Sequence, residues 1–132
     1  MPRLSKKQID ELIGHSKKEY PNEACGILAG KDGRVEKVYQ MTNADKSPKT
    51  FLMDPKEQLN VMKDITDLEM KMVGIYHSHI ETEAYPSAHD VELAFYPEAS
   101  YLIISIKDKD DPTVRSFRII QEKISEEIVK IE

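Results

Sequence analysis

One cysteine, Cys25, in 132 residues rules out an internal disulfide, and tryptophan is absent altogether. A single thiol also excludes every zinc site that needs paired cysteines, and it suits a reducing compartment, in line with the cytoplasmic location expected from the lack of a leader or a membrane span. No run of Lys/Arg is longer than two residues and the formal charge is −5 at pH 7. The clustered basic surface on which nucleic-acid binding rests is therefore missing. No apolar stretch approaches the roughly 20 residues of a bilayer-spanning helix. The basic residues between Met1 and Lys7 are followed by no apolar run of the kind a secretory leader carries. Neither nucleic acid nor a membrane is expected as a partner. Glycine (5) and proline (7) are sparse beside 39% apolar and 33% charged residues, which argues against disorder. The length suits one domain, residues 1–132, with a core that needs no staple.

Ser5 followed by Gln8 reads as a capping box, and Ile9, Leu12 and Ile13 recur at helical spacing until Pro21, which predicts a helix over 6–19. Ala24 to Ala29 and Val35 to Tyr39 are apolar runs around Gly30-Lys31-Asp32-Gly33, a hairpin pattern. Thr42 to Lys49 reads as an exposed loop, with Phe51 to Met53 returning as a short strand. Asp54-Pro55 with Glu57 starts a second helix, whose expected apolar face is Leu59, Met62, Ile65, Leu68 and Met72. Met72 to Tyr76 has the continuous apolar character of a strand buried on both faces, reached by a strand–helix–strand crossover. A third helix is expected from Ser87 through Val91, Leu93, Ala94 and Phe95 to Pro97. Tyr101 to Ile106 and Thr113 to Ile120 read as strands, and Ile124 to Ile131 as either strand or short helix. The fold class is mixed α/β.

The buried strand delivers His77-Ser78-His79, and residues two apart in extended backbone project from one face, so both imidazoles can reach one point. Ser87 and Asp90, three apart, share one side of a helical first turn. Two imidazoles and a carboxylate leave a fourth tetrahedral position open, the arrangement of a catalytic rather than a structural zinc site.

His77-Ser78-His79, seven residues, Ser87, two residues and Asp90 resemble, without gap or substitution, the JAMM signature of the MPN-plus metallopeptidases. Pro21 to Gly30 resembles that family's glutamate-bearing strand, and Gly74-Ile75-Tyr76 and Ala94-Phe95-Tyr96-Pro97 extend the likeness over most of the chain. The resemblance implies an MPN-type, cytidine-deaminase-like domain with a mixed β-sheet flanked by helices. It implies His77, His79 and Asp90 as Zn2+ ligands, Glu23 as general acid/base and Ser87 as oxyanion donor. It further implies hydrolysis of a peptide or isopeptide bond after the C-terminal Gly-Gly of a ubiquitin-like or sulfur-carrier protein, as in stand-alone prokaryotic members. Where the family often has proline after the second histidine, this chain has Ile80.

Each residue also has a plainer reading. The histidine pair alone suits any polar strand end. Ser87-x-x-Asp90 is a capping box, in which the acid bonds to the serine amide rather than to a metal. Glu23 alone reads as a solvated charge, Cys25 as a small buried hydrophobe, and Met62, Met70 and Met72 as core filling. His15 reads as a surface residue, and His89 lies on a different side of its helix from Asp90. Among rival functions, a non-catalytic MPN-type scaffold is disfavoured by the complete ligand set. A zinc deaminase is excluded by the single cysteine. His77-x-His79 with Glu83 imitates half of a cupin motif, but no histidine after His89 completes it. Non-haem iron can use the same ligand types. Glu81, Thr82, Glu83 and Tyr85, between the ligands, are candidates for substrate contact. A substrate tail is expected to add as a strand beside the active-site sheet edge.

Overall fold

The computed structural model describes residues 1–132. In chain order the elements are β1 (Arg3–Leu4), α1 (Lys6–Glu19), β2 (Cys25–Lys31), β3 (Arg34–Met41), α2 (Pro55–Asp67), β4 (Lys71–His79) and α3 (Ala88–Glu92), then β5 (Ser100–Ser105), β6 (Thr113–Ile120), β7 (Lys123–Glu127) and β8 (Lys130–Ile131). The strands form one eight-stranded sheet in the order β7-β6-β5-β4-β2-β3-β1-β8. β2 is antiparallel to both β3 and β4, which makes those two parallel, and α2 is the crossover that carries the chain over β2. The mixed α/β class expected from the pattern is what the structure has, and the tail resolves as strand.

Local chemistry sets the boundaries. At α1, Ser5 Oγ accepts from the Gln8 amide at 3.1 Å while the Ser5 amide donates to Gln8 Oε1 at 2.9 Å, the reciprocal box read from the sequence. Asp54 caps α2 by accepting from the amides of Lys56 and Glu57. The β2–β3 turn is tighter than the four-residue cluster suggested. Only Asp32 (φ 53°) and Gly33 (φ 79°) leave the ladder, the paired positive angles of a two-residue hairpin that follows strand twist.

The sheet is covered on both faces. On one side α1, through Ile9 and Leu12, packs on Leu28, Tyr76, Leu102 and Ile104. On the other, Ile65 of α2 and the loops before and after α3 pack on Cys25, Ile27, Ile75, Tyr101, Ile103 and Phe117. β4 lies between β2 and β5, and its residues from Gly74 to His79 are all buried. Tyr76 pairs in register with Gly26, where any side chain would run into the Tyr76 ring or the Tyr39 carbonyl. That ring reaches across to α1.

Three expectations fail here. Leu59 and Leu68 do not join the α2 core face but are 72% and 48% exposed. Each i, i+3 step falls about 60° short of a full turn, so a stripe of such steps winds around the helix and only its centre faces the sheet. α3 ends at Glu92 with Leu93 as its cap, leaving Phe95 71% exposed, because Leu93, Ala94 and Phe95 are consecutive rather than periodic. His15 is buried rather than on the surface. Its Nδ1 lies 2.8 Å from the Tyr76 hydroxyl, a partner 61 positions away that spacing cannot reveal.

Burial holds the His15 pKa below its ordinary 6.5, with Glu19 opposing. On acidification the unfolded chain therefore binds a proton that the folded chain resists. Stability is lost as the pH falls through 6.5 toward the lower folded value. Urea midpoints measured with chelator present should show a steeper acid loss for wild type than for His15→Gln. Parallel profiles would remove His15 from the pH response.

Candidate metal centre

β4 ends at the site. His77 and His79 point to the face opposite Tyr76 and Ser78, as strand alternation requires, and α3 brings Asp90 over them. His77 Nε2 and His79 Nε2 are 3.1 Å apart, and Asp90 Oδ2 lies 3.1 Å from the first and 3.0 Å from the second. The side chains of the three are almost wholly removed from solvent.

The donor set fits a metal ion. His79 Nδ1 sits 2.8 Å from the Glu83 carbonyl, which can only accept, so that nitrogen carries the ring proton and Nε2 presents a lone pair in the neutral ring. The same carbonyl bond is the outer support that ligating histidines ordinarily have. Ligands about 2.0–2.1 Å from a tetrahedral zinc lie about 3.3 Å from one another. The three ligand atoms are already close to that separation, and converging lone pairs call for a cation among them. His77 Nδ1 has no hydrogen-bond partner, and its ring stacks on Phe51 with centroids 4.6 Å apart.

The capping bond and an approach to both histidines, read as alternatives for Asp90, coexist. Its Oδ2 accepts from the Ser87 amide at 2.9 Å while facing both histidines, and Ser87 Oγ accepts from the Asp90 amide at 3.1 Å. The box thus aims the carboxylate. Burial works to raise the Asp90 pKa, but the bonds to His77, His79 and the Ser87 amide hold it well below the usual carboxylate range. Burial lowers His77. It also works against a charged His79, where the bonds to Asp90 and the Glu83 carbonyl outweigh it and raise the pKa.

Glu23 is not the solvated charge that it resembles in isolation. It is 3% exposed, and its Oε1 has no hydrogen-bond partner. Burial pushes its pKa up to about 8, the negative charge of Asp90 adding to the effect and His79 opposing it. Ser78, between the two histidines, fixes this segment. Its Oγ accepts from the Ala24 amide at 2.8 Å and its own amide donates to the Ala24 carbonyl at 3.0 Å. The Glu23 amide donates to the Ser47 carbonyl at 2.9 Å, and Asn43 Nδ2 donates to the Glu23 carbonyl at 3.0 Å. Glu23, His79 and Ser87 then line one cleft with Pro48, Lys49, Ile80, Glu81 and Thr82.

Of the loop candidates, Glu81 and Thr82 face this cleft. Glu83 lines a separate polar hollow with Arg115, and the Tyr85 ring meets Phe117 edge-on. His89 is exposed, and Cys25 is fully buried in the core. Ile80, at the position of the family's proline, is buried against the α1 side of the sheet. Sequence reasoning missed Ser78, Asn43, Lys49 and Phe51. The Asn/Ser/Thr content of 42–50 signals an organised loop, but nothing in it names its partner. β4 is paired on both sides, to β2 and β5, so β4 itself offers no free edge to a strand-adding substrate tail.

Comparison with known proteins places these features. The profile of the family described as prokaryotic homologs of the JAB domain matches residues 5–120. The CysO-cysteine peptidase of Mycobacterium tuberculosis is 42% identical over 125 residues, 93% of this chain and 86% of that protein. The desampylase of Haloferax volcanii is 35% identical over 103 residues, 73% of this chain and 74% of that protein. A solution structure from Desulfitobacterium hafniense superposes with a TM-score of 0.90 at 43% identity, covering 100% of this chain and 93% of that one.

Elemental analysis of the purified protein should find about one divalent metal per chain, the stoichiometry of a single three-ligand site, and Asp90→Ala should lose it. Equal metal in both proteins would place the ion elsewhere.

Proposed function

The chain belongs to the prokaryotic JAB-domain family and is a hydrolase of that family, and we propose that it is a zinc-dependent peptidase acting after the C-terminal Gly-Gly of a ubiquitin-like or sulfur-carrier protein. The observation that carries the reading is the buried, unpartnered Glu23 carboxyl in the same cleft as His79 and Ser87, beside three converging ligand atoms. The similarity to a CysO-cysteine peptidase and to desampylases supports the substrate class.

His77, His79 and Asp90 would hold the zinc ion. When bound, zinc polarises the substrate carbonyl and lowers the pKa of its water to about 7. Glu23, kept out of bulk water, takes a proton from the attacking water. The water oxygen joins the glycyl carbonyl carbon, the C–N bond breaks, and Glu23 returns the proton to the departing nitrogen. The products are a carrier ending in a glycine carboxyl and a free amine. Ser87 Oγ donates to the oxygen on which charge develops, a role compatible with capping because one hydroxyl both accepts and donates.

On the far side of the ligands lies an apolar surface formed by Phe51, Leu52, Leu93, Phe95, Tyr96 and Tyr101. It shares Phe51, Leu93 and Tyr101 with a recess of about 20 Å³ beside His77, Asp90 and Pro86. We assign the carrier's tail to this side, since the little room beside the ligands favours glycine, which has no side chain to place there. Non-catalytic scaffolding is the weaker reading, because a scaffold has no use for a buried carboxyl without a partner.

Glu23→Gln should retain metal and lose at least about a hundredfold in turnover, the scale of general acid/base catalysis. Near-normal turnover would take Glu23 out of the mechanism. A carrier whose terminal Gly-Gly is replaced by Ala-Ala should be cut far more slowly in single-turnover assays. Equal rates would sink the assignment of the recess.

A further inference from the structure

We infer that Lys49 reads the α-carboxylate of a single amino acid departing from the carrier, so that this chain is tuned to amino-acyl carriers rather than to isopeptide-linked proteins. The inference rests on the peptidase reading above. It begins with the direction of proton transfer. Glu23 can hand a proton to the departing nitrogen only if that nitrogen lies within hydrogen-bond reach, so the leaving group occupies the cleft that Glu23 lines.

That cleft has a volume of about 290 Å³, room for one amino-acid residue, and Lys49 is the only cation among its lining residues. Lys49 forms no ion pair within the protein. Its backbone is nonetheless held in place. Ser47 Oγ accepts from the amides of Lys49 and Thr50 at 3.1 and 3.3 Å, and the Asn43 amide group bridges the carbonyls of Glu23 and Thr50 at 3.0 Å each. The loop that presents the ammonium is thus tied to the backbone of the residue that meets the leaving nitrogen.

An amino acid joined through its α-nitrogen carries its carboxylate on the adjoining carbon, and a long, flexible lysine beside Glu23 can meet it with a charge-assisted hydrogen bond. An isopeptide-linked lysine brings only methylenes to the same place. The free carboxylate would otherwise face two acids, Glu23 and Glu81, so Lys49 also removes a repulsion.

The test uses a ubiquitin-like sulfur carrier ending in Gly-Gly and extended by one alanine, prepared with a free C-terminal carboxylate and as the carboxamide. Wild type should cleave the free acid with a kcat/KM about tenfold above that for the carboxamide, the scale of a hydrogen bond to a charged group. In Lys49→Ala that ratio should fall toward one, through a rise in KM for the free acid, and Lys49→Arg should restore it. Equal wild-type rates on the two probes, or a Lys49→Ala enzyme that keeps the tenfold ratio, would overturn the role of Lys49 and leave the peptidase reading standing. Cleavage of neither probe by metal-loaded wild type would remove both.

Discussion

Two imidazole nitrogens and a carboxylate oxygen held within about 3.1 Å of one another, away from water, are unfavourable unless a cation or a proton sits among them. The fold is arranged to impose that approach. A strand buried on both faces and paired on both edges cannot shift or twist away, so His77 and His79 stay aimed at one point. The box at the start of α3 then aims Asp90 at the same point, and the Glu83 carbonyl sets the tautomer of His79.

The same rigidity reaches Glu23, the proposed acid/base. Glu23 lies before β2 with no helix to hold it, and its place comes from its own backbone bonds to the Ser47 carbonyl and the Asn43 side chain, and from the bonds of the next residue, Ala24, to Ser78. Ser78 connects the two halves of the site most directly, since it sits between the histidines and clamps the residue after Glu23. Polar atoms outside the candidate ligand set thereby position the carboxyl relative to His77, His79 and Asp90, as outer-shell groups do in metal sites generally.

The three faces of the site differ in character. The cleft beside Glu23 is polar with one cation, the surface beside Phe51 is apolar, and β4 closes the floor. The proposed substrate, an amide between a glycine tail and a small polar leaving group, fits that division. The exposed Phe95 and Leu52 belong to the apolar side, and leaving side chains of that size in water is characteristic of surfaces that meet another protein.

Local patterns determined much of this by themselves. The capping boxes at Ser5 and Ser87, the Asp54-Pro55 start, the hairpin and the buried run into His77 are all readable because each depends on residues within a few positions of one another. The spacing of His77, His79, Ser87 and Asp90 was legible for the same reason, being set by one strand and one short helix. What only the tertiary structure decided depends on partners far apart in the chain. It buries His15 against Tyr76, strips Glu23 of solvent and ties its backbone to Asn43 and Ser47, turns Leu59 and Leu68 outward, and sets Lys49 along the cleft. Burial and cross-strand bonding are properties of the packed sheet, and no local spacing carries them.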